Sequence, residues 1–364
     1  MQIKDIVAEI ERFANPALKE DYDNVGLLVG SVEEEATGVL ITLDVTHEVI
    51  DEAIEKNCNL IVAHHPLIFR GLKNITDSTD IGSMVIKAIR NGIAIFAGHT
   101  NVDSVPDGVS GMMARKLGLV NTSVLQPLNK RLLKLVVYVP EEHAAKVRNA
   151  IFEAGAGVIG NYDSCSYNIS GTGTFRAGEN TDPFVGEKGK LHFEPEARIE
   201  TVMPDFVKNK VVSAMLEVHP YEEVAYDIYS LENEWYGAGL GLTGELPEPV
   251  DEKQFLSLLK EKFNTGCIKH TSLLGKPVKK VALCGGAGSE FLSAAMRTGA
   301  DVFVSGDFKY HQFFDAGNRI LIADIGHFES EQFTKELFFE ILTKKFSNFA
   351  IRLSEVNTNP IKYF

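Results

Sequence analysis

Two adjacent histidines, His64 and His65, close the apolar run Leu60, Ile61, Val62, Ala63 and are followed at once by Pro66. The run predicts a short buried strand, which proline stops by removing a backbone donor and fixing its own φ. Strand exits are where α/β proteins place chemistry, and neutral imidazole is a common ligand for divalent cations. Consecutive strand residues point to opposite faces, so two neighbours chelate one ion poorly but could serve two different ions. Two ordinary histidines in a turn are the plain alternative. Further candidates stand in "GHTNVD" and "GHFESE", where His99 and Asp103 have the same spacing as His327 and Glu331. If the segment after Gly326 is helical, His327 and Glu331 share one face, one turn apart, and Glu329 points elsewhere. A carboxylate has two oxygens with which to bridge two ions, and imidazole has no such pair. A set of imidazoles and carboxylates without sulfur suits Zn, Mn or Fe(II) and does not choose among them.

The elements that must position these groups repeat. "GVLITLDVTHEVIDEAIEKNCNLIVAHHP" and "KVALCGGAGSEFLSAAMRTGADVFVSGDF" each read as strand, helix, strand. Shifted by 242 positions they superpose without a gap, placing Val39 on Val281, Glu48 on Glu290, Ala53 on Ala295 and Val62 on Val304. Any two βαβ units share such a period, so the greater weight falls on the coincidence of Gly-His with an acid four residues later. Two similar halves imply a pseudo-two-fold α/β core whose strand ends face one another. Between them, the order strand, helix, strand, strand, helix, strand predicts a ferredoxin-like α+β insert. The expected division is 1–128 for the first core half, 129–232 for the insert and 233–364 for the second core half.

Composition narrows the function. A formal net charge of −14 argues against a nucleic-acid-binding surface, which needs clustered Lys and Arg. The amphipathic start "MQIKDIVAEIERFANPALKE" lacks the apolar core of a signal peptide, and no window approaches a membrane span. Cys58, Cys165, Cys267 and Cys284 form no CxxC pair, which suits a reducing cytoplasm and speaks against a thiolate zinc site. Neither GxxxxGK[ST] nor GxGxxG occurs, so nucleotide binding through either loop is unsupported. "CGGAGSEF" is expected to be a tight strand-to-helix turn with Ser289 as N-cap, or else a phosphate cradle. His47 and His143 fall in surface patterns, and His219 fits a turn as well as a ligand role. In "SGDFKYHQ", Asp307 stands where His65 stands in the first half, and Lys309 could meet a substrate anion.

"DYDNVGLLVG", "AHHP", "GHTNVD", "SGDFKYH" and "GHFESE", in this order and with a middle insertion, resemble the Nif-three-like family (NGG-one-interacting factor three), whose bacterial members are often labelled type-two GTP cyclohydrolase homologues. The resemblance covers both core halves. It implies a dinuclear centre at His64, His65, Asp103, His327 and Glu331, with the glutamate bridging two divalent ions, Zn first and Fe or Mn as alternatives. His99 corresponds to a histidine beside that site rather than among its ligands, and Asp23, Asn24 and Lys309 are expected along the substrate groove. The insert is similar to P-II and divalent-cation-tolerance (CutA-like) domains, and long members of the family imply a homohexamer.

Two functions of different classes are compatible with these residues. One is a cytoplasmic metal-dependent hydrolase acting on a nucleotide or other phosphorylated small molecule, in which two ions activate a water and polarise the substrate. The other is a non-catalytic metal-binding or regulatory assembly whose P-II-like insert senses a small ligand. No acid/base pair outside the metal ligands stands out in the sequence, which leans toward the second.

Overall fold

Apolar runs without polar alternation demand burial on both faces, and the computed structural model, which describes residues 1–363, supplies it. In the first half the strands Val39–Thr42, Leu60–Ala63 and Ala94–Ala97 run parallel, flanked by Ile351–Leu353 on one side and antiparallel Gly26–Val29 on the other. Alternate residues feed two cores. Val39, Ile41, Leu60, Val62 and Phe96 pack with Ile3, Ile6 and Ile10 of helix Ile3–Phe13 and with Phe338 of helix Thr334–Lys345. Leu40, Ile61 and Ile95 pack on the opposite face with Val49 and Ile50 of helix His47–Glu55 and with Met84 and Val85 of helix Asp80–Arg90.

The second half repeats this plan. Strands Val278–Leu283, Val302–Ser305 and Leu321–Asp324 are parallel within a six-stranded sheet that also holds Trp235–Val250, Val120–Leu128 and Lys269–His270. The repeat extends to register. Val39 pairs with Leu60 and Ile41 with Val62, while Val281 pairs with Val302 and Leu283 with Val304, each partner 242 residues further on. Helix Val109–Leu117 serves both halves, with Val109 and Met112 in one core and Met113, Ala114 and Leu117 in the other.

The chain falls into two compact units, Met1–Gln126 with the chain from Ala238 onward, and Pro127–Gly237. The second unit runs strand Leu132–Pro140, helix Ala144–Glu153, strands Tyr167–Arg176 and Leu191–Pro204, helix Lys208–Val218 and strand Tyr226–Ser230. All neighbours in its sheet are antiparallel, and both helices pack on Leu135, Val137, Ile199 and Met203. Among the described residues, no helix is long and apolar enough to cross a membrane.

Candidate metal centre

Each histidine of the cluster is aimed by its own backbone element and then locked by a hydrogen bond at Nδ1. His64 and His65 follow the Leu60–Ala63 strand, where their backbone N–H groups still donate to Thr42 and Leu43 of the neighbouring strand exit. His64 Nδ1 donates to the Gly98 carbonyl at 2.8 Å, and His65 Nδ1 donates to Asp44 Oδ1 at 2.7 Å. Past Leu321–Asp324, the segment His327–Glu331 is a single helical turn, and His327 Nδ1 donates to Asp307 Oδ2 at 2.8 Å. An acceptor at Nδ1 leaves Nε2 as the coordinating nitrogen, the arrangement that outer-shell partners impose on metal-binding imidazoles.

Those Nε2 atoms converge on two buried carboxylates. Glu331 Oε2 lies 2.9 Å from His65 Nε2 and 3.1 Å from His327 Nε2, and Glu331 Oε1 lies 3.7 Å from His64 Nε2. Asp103, the last residue of the turn Thr100–Asp103, places Oδ1 3.7 Å from the same His64 nitrogen. The candidate ligand atoms therefore form overlapping groups, His64, Asp103 and Glu331 in one, His65, His327 and Glu331 in another, and His64, His65 and His99 in a third, each within 4.8 Å. His64 Nε2 and Asp103 Oδ1 are buried without a hydrogen-bond partner, and Glu331 Oε2 has the imidazole nitrogens of His65 and His327 beside it. Two orphaned electron-pair donors beside a shared carboxylate are costly as they stand, and they fit a divalent cation.

Electrostatics agree with the geometry. Burial pushes the Asp103 carboxyl well above its usual range, and the Glu331 charge adds to the rise. For Glu331 burial acts in the same direction, but the surrounding imidazoles of His327, His64 and His65 outweigh it and keep the carboxylate ionised. Burial lowers His64, favouring the neutral form that a ligand must have. Burial also opposes charge on His65 and His327, yet Asp44 with Glu331 lifts the first to about 10, and Asp307 with Glu331 lifts the second to about 11.

The other expected residues divide. His99 caps the Thr100–Asp103 turn, and one of its ring nitrogens lies within 4.8 Å of those of His64 and His65. Asp23, buried, accepts His99 Nδ1–H at 2.8 Å together with the Thr100 N–H and hydroxyl, so it orients His99. Although burial works against it, these bonds hold the Asp23 carboxyl well below the usual range. Asn24 is not part of the cluster; its amide donates to the Ile68 carbonyl and ties the "DYDN" loop to the segment after Pro66. Lys309 is exposed and caps the turn Tyr310–Ala316. Glu329 is buried away from the ligands, accepting from Asn359 Nδ2 at 3.2 Å.

Ser289 is not an N-cap. Gly288 caps the turn Ser289–Phe291, and the Ser289 hydroxyl accepts from Gln312 Nε2 instead. The neighbouring glycines make room for Glu331: a Cβ on Gly286, at φ +63°, would stand 2.2 Å from Glu331 Oε1. Asp44, two residues beyond the Val39–Thr42 strand, is a supporting carboxylate that the sequence did not single out.

A duplicated α/β core with an imidazole and carboxylate cluster at its strand exits defines a class of protein in which two related halves present groups that could hold a metal ion. The sequence profile of the Duf34/NIF3 family (NGG1p interacting factor 3) matches residues 1–360, and the chain belongs to that family. It is 42% identical over 363 residues, 98% of both chains, to a protein of Halalkalibacterium halodurans named GTP cyclohydrolase 1 type 2 homolog. A Bacillus subtilis protein of the same name is 40% identical, with 99% of this chain and 98% of that one covered. A Bacillus cereus protein related to NIF3 has a crystal structure that superposes with a TM-score of 0.86 at 40% identity, over 100% of this chain and 99% of that one.

Proposed function

We propose that the chain is a dinuclear divalent-metal protein that acts as a hydrolase on a nucleotide or other phosphorylated small molecule. The observation that carries this reading is Glu331, whose two oxygens face different imidazole partners in two ligand groups. His64 and Asp103 would hold one ion, His65 and His327 the other, and Glu331 both. Zn is the first choice by the resemblance to the family, with Fe or Mn as alternatives that the donor set fits equally well. Two ions there would lower the pKa of a bound water and neutralise charge on a phosphoryl group. His64 and Glu331 are closed off from solvent, whereas the side chains of His65 and His327 are 23% and 33% exposed, so a substrate would approach from their side. His99 is the group set to move a proton, since Asp23 occupies Nδ1 and leaves Nε2 for the exchange.

The strand order of the 127–237 unit supports a ferredoxin-like, P-II/CutA-like insert, and the expected home is the cytoplasm as a homohexamer with a small-molecule substrate and no nucleic-acid partner. A second reading, a metal-binding regulatory assembly, is favoured by an aromatic cavity in that unit. Chelator-free purification, elemental analysis and a screen of phosphate esters and nucleotides separate the two. The hydrolase reading requires two ions per chain and turnover that His99→Gln lowers by about a hundredfold while the ions stay bound. Retained ions with no turnover of any phosphorylated compound select the regulatory reading.

A further inference from the structure

The Pro127–Gly237 unit holds a cavity of about 400 Å³, large enough for a small organic molecule. Its wall is built around Tyr221, whose ring centroid lies 6.2 Å from that of Phe175 and 6.3 Å from that of Phe184, and Tyr138 lines the same space. The rings are held in place. His219, buried, accepts the Tyr221 N–H at Nδ1, which fixes the tautomer, and Nε2–H donates to the Tyr138 carbonyl at 3.0 Å. That assigns His219 a positioning role between two aromatic walls. Phe184 belongs to the segment after Arg176, which Glu222 anchors by accepting the Asp182 N–H at 2.9 Å.

Among the described residues the cavity lining holds carboxylates and no Lys or Arg, and the Arg198 guanidinium 5.9 Å from the Tyr138 ring centroid is paired with Glu200. Glu196 lines it, only 9% exposed, with Oε1 accepting the Tyr221 hydroxyl at 2.9 Å. A side chain at position 173 is excluded by this carboxylate, since a Cβ on Gly173 would stand 2.1 Å from Glu196 Oε2. Glu222 and Glu223 line the cavity as well. Aromatic faces attract cations through their quadrupole, most strongly where water is excluded, and a buried carboxylate asks for a positive partner. An anionic ligand would meet three carboxylates, and a neutral apolar one would bring Glu196 no counter-charge beyond the hydrogen bond from Tyr221.

We propose that this cavity is a binding site for a small organic cation, an alkylammonium whose charged head sits against the Tyr221, Phe175 and Phe184 rings and pairs with Glu196. The site shares no residue with the metal cluster. Its test uses the full chain and two probes, choline for a quaternary ammonium and putrescine for a primary one, titrated calorimetrically. The uncharged isostere of choline, 3,3-dimethylbutan-1-ol, is the control for shape. Expected are saturable binding of at least one cation, binding of the neutral alcohol weaker than that of choline by about tenfold or more, and a loss of about tenfold in both Phe184→Ala and Glu196→Gln. Phe184 is 48% exposed, so its truncation leaves folding intact and carries the test even if the Glu196 variant fails to fold. Equal binding of alcohol and choline, affinity unchanged in Phe184→Ala, or no saturable binding of either cation at tens of millimolar overturns the proposal.

Discussion

The two core halves use one scaffold for unequal jobs. Their strands pair in the same register, yet the residues 242 positions after His64 and His65 are Gly306 and Asp307. Gly306 has no room for an imidazole, because a Cβ there would lie 2.8 Å from the His327 backbone nitrogen. Asp307, in the place of His65, supports His327 from behind instead of facing the carboxylates. The Gly-His motifs differ as subtly. His99, bound at Nδ1 by Asp23, groups with His64 and His65 whereas His327 turns Nε2 toward Glu331, and the second half reaches its Gly-His with one extra residue, Ile325, after the strand. The acid is Asp103 in one and Glu331 in the other, and only the longer side chain stands in both ligand groups. Repetition of the backbone thus supplies strand exits, while side-chain length and the room behind each exit decide which side chains gather around Glu331.

Making the halves alike should abolish the difference, and Glu331→Asp does so with a single methylene. Bound metal is expected to fall from two ions per chain to one or none, with affinity reduced by more than about a hundredfold, read by elemental analysis and competition with a chromophoric chelator. If two ions are retained, side-chain length is not what makes the second half the bridging one.

Acidity acts next in size. His65 and His327 are raised from 6.5 to about 10 and about 11, so protons compete with a cation for their Nε2 atoms near neutrality. Affinity should therefore weaken as pH falls and strengthen as it rises toward 10, by about ten- to a hundredfold per pH unit around neutrality. The sign reverses for the folding stability of the metal-stripped protein. Raised histidines contribute fully below 6.5, and that contribution is lost as pH passes through about 10. Titrations that release no protons on metal binding would contradict both statements.

The smallest effect compares the two supports. Asp44→Asn behind His65 and Asp307→Asn behind His327 should each cost about tenfold in metal affinity, with the fold retained in thermal melts. Asp44 also accepts from the Thr358 hydroxyl at 2.6 Å, so its loss should be felt additionally at the C-terminal segment.

Much of this was legible beforehand. Apolar runs buried on both faces mark parallel strands, and the 242-residue shift that aligned the halves is also the shift that relates their strand pairing. The helical turn that sets His327 beside Glu331 follows from their spacing. Asp44 and the roles of Asp23 and Asp307 were not legible, because a supporting carboxylate is defined by whichever imidazole happens to stop in front of it. Ser289 resembled an N-cap by type, but Gln312, distant in the chain, claimed its hydroxyl.

By itself, the sequence determined where the strands end, which residues there could ligate, and that one motif is written twice, since period and composition are local properties of the chain. Only the tertiary structure decided that His64 and His65 also face Glu331, which histidines are turned by an aspartate, and which polar atoms are left buried without partners. Those outcomes depend on contacts between residues hundreds of positions apart, such as His65 and Glu331. No local spacing encodes them.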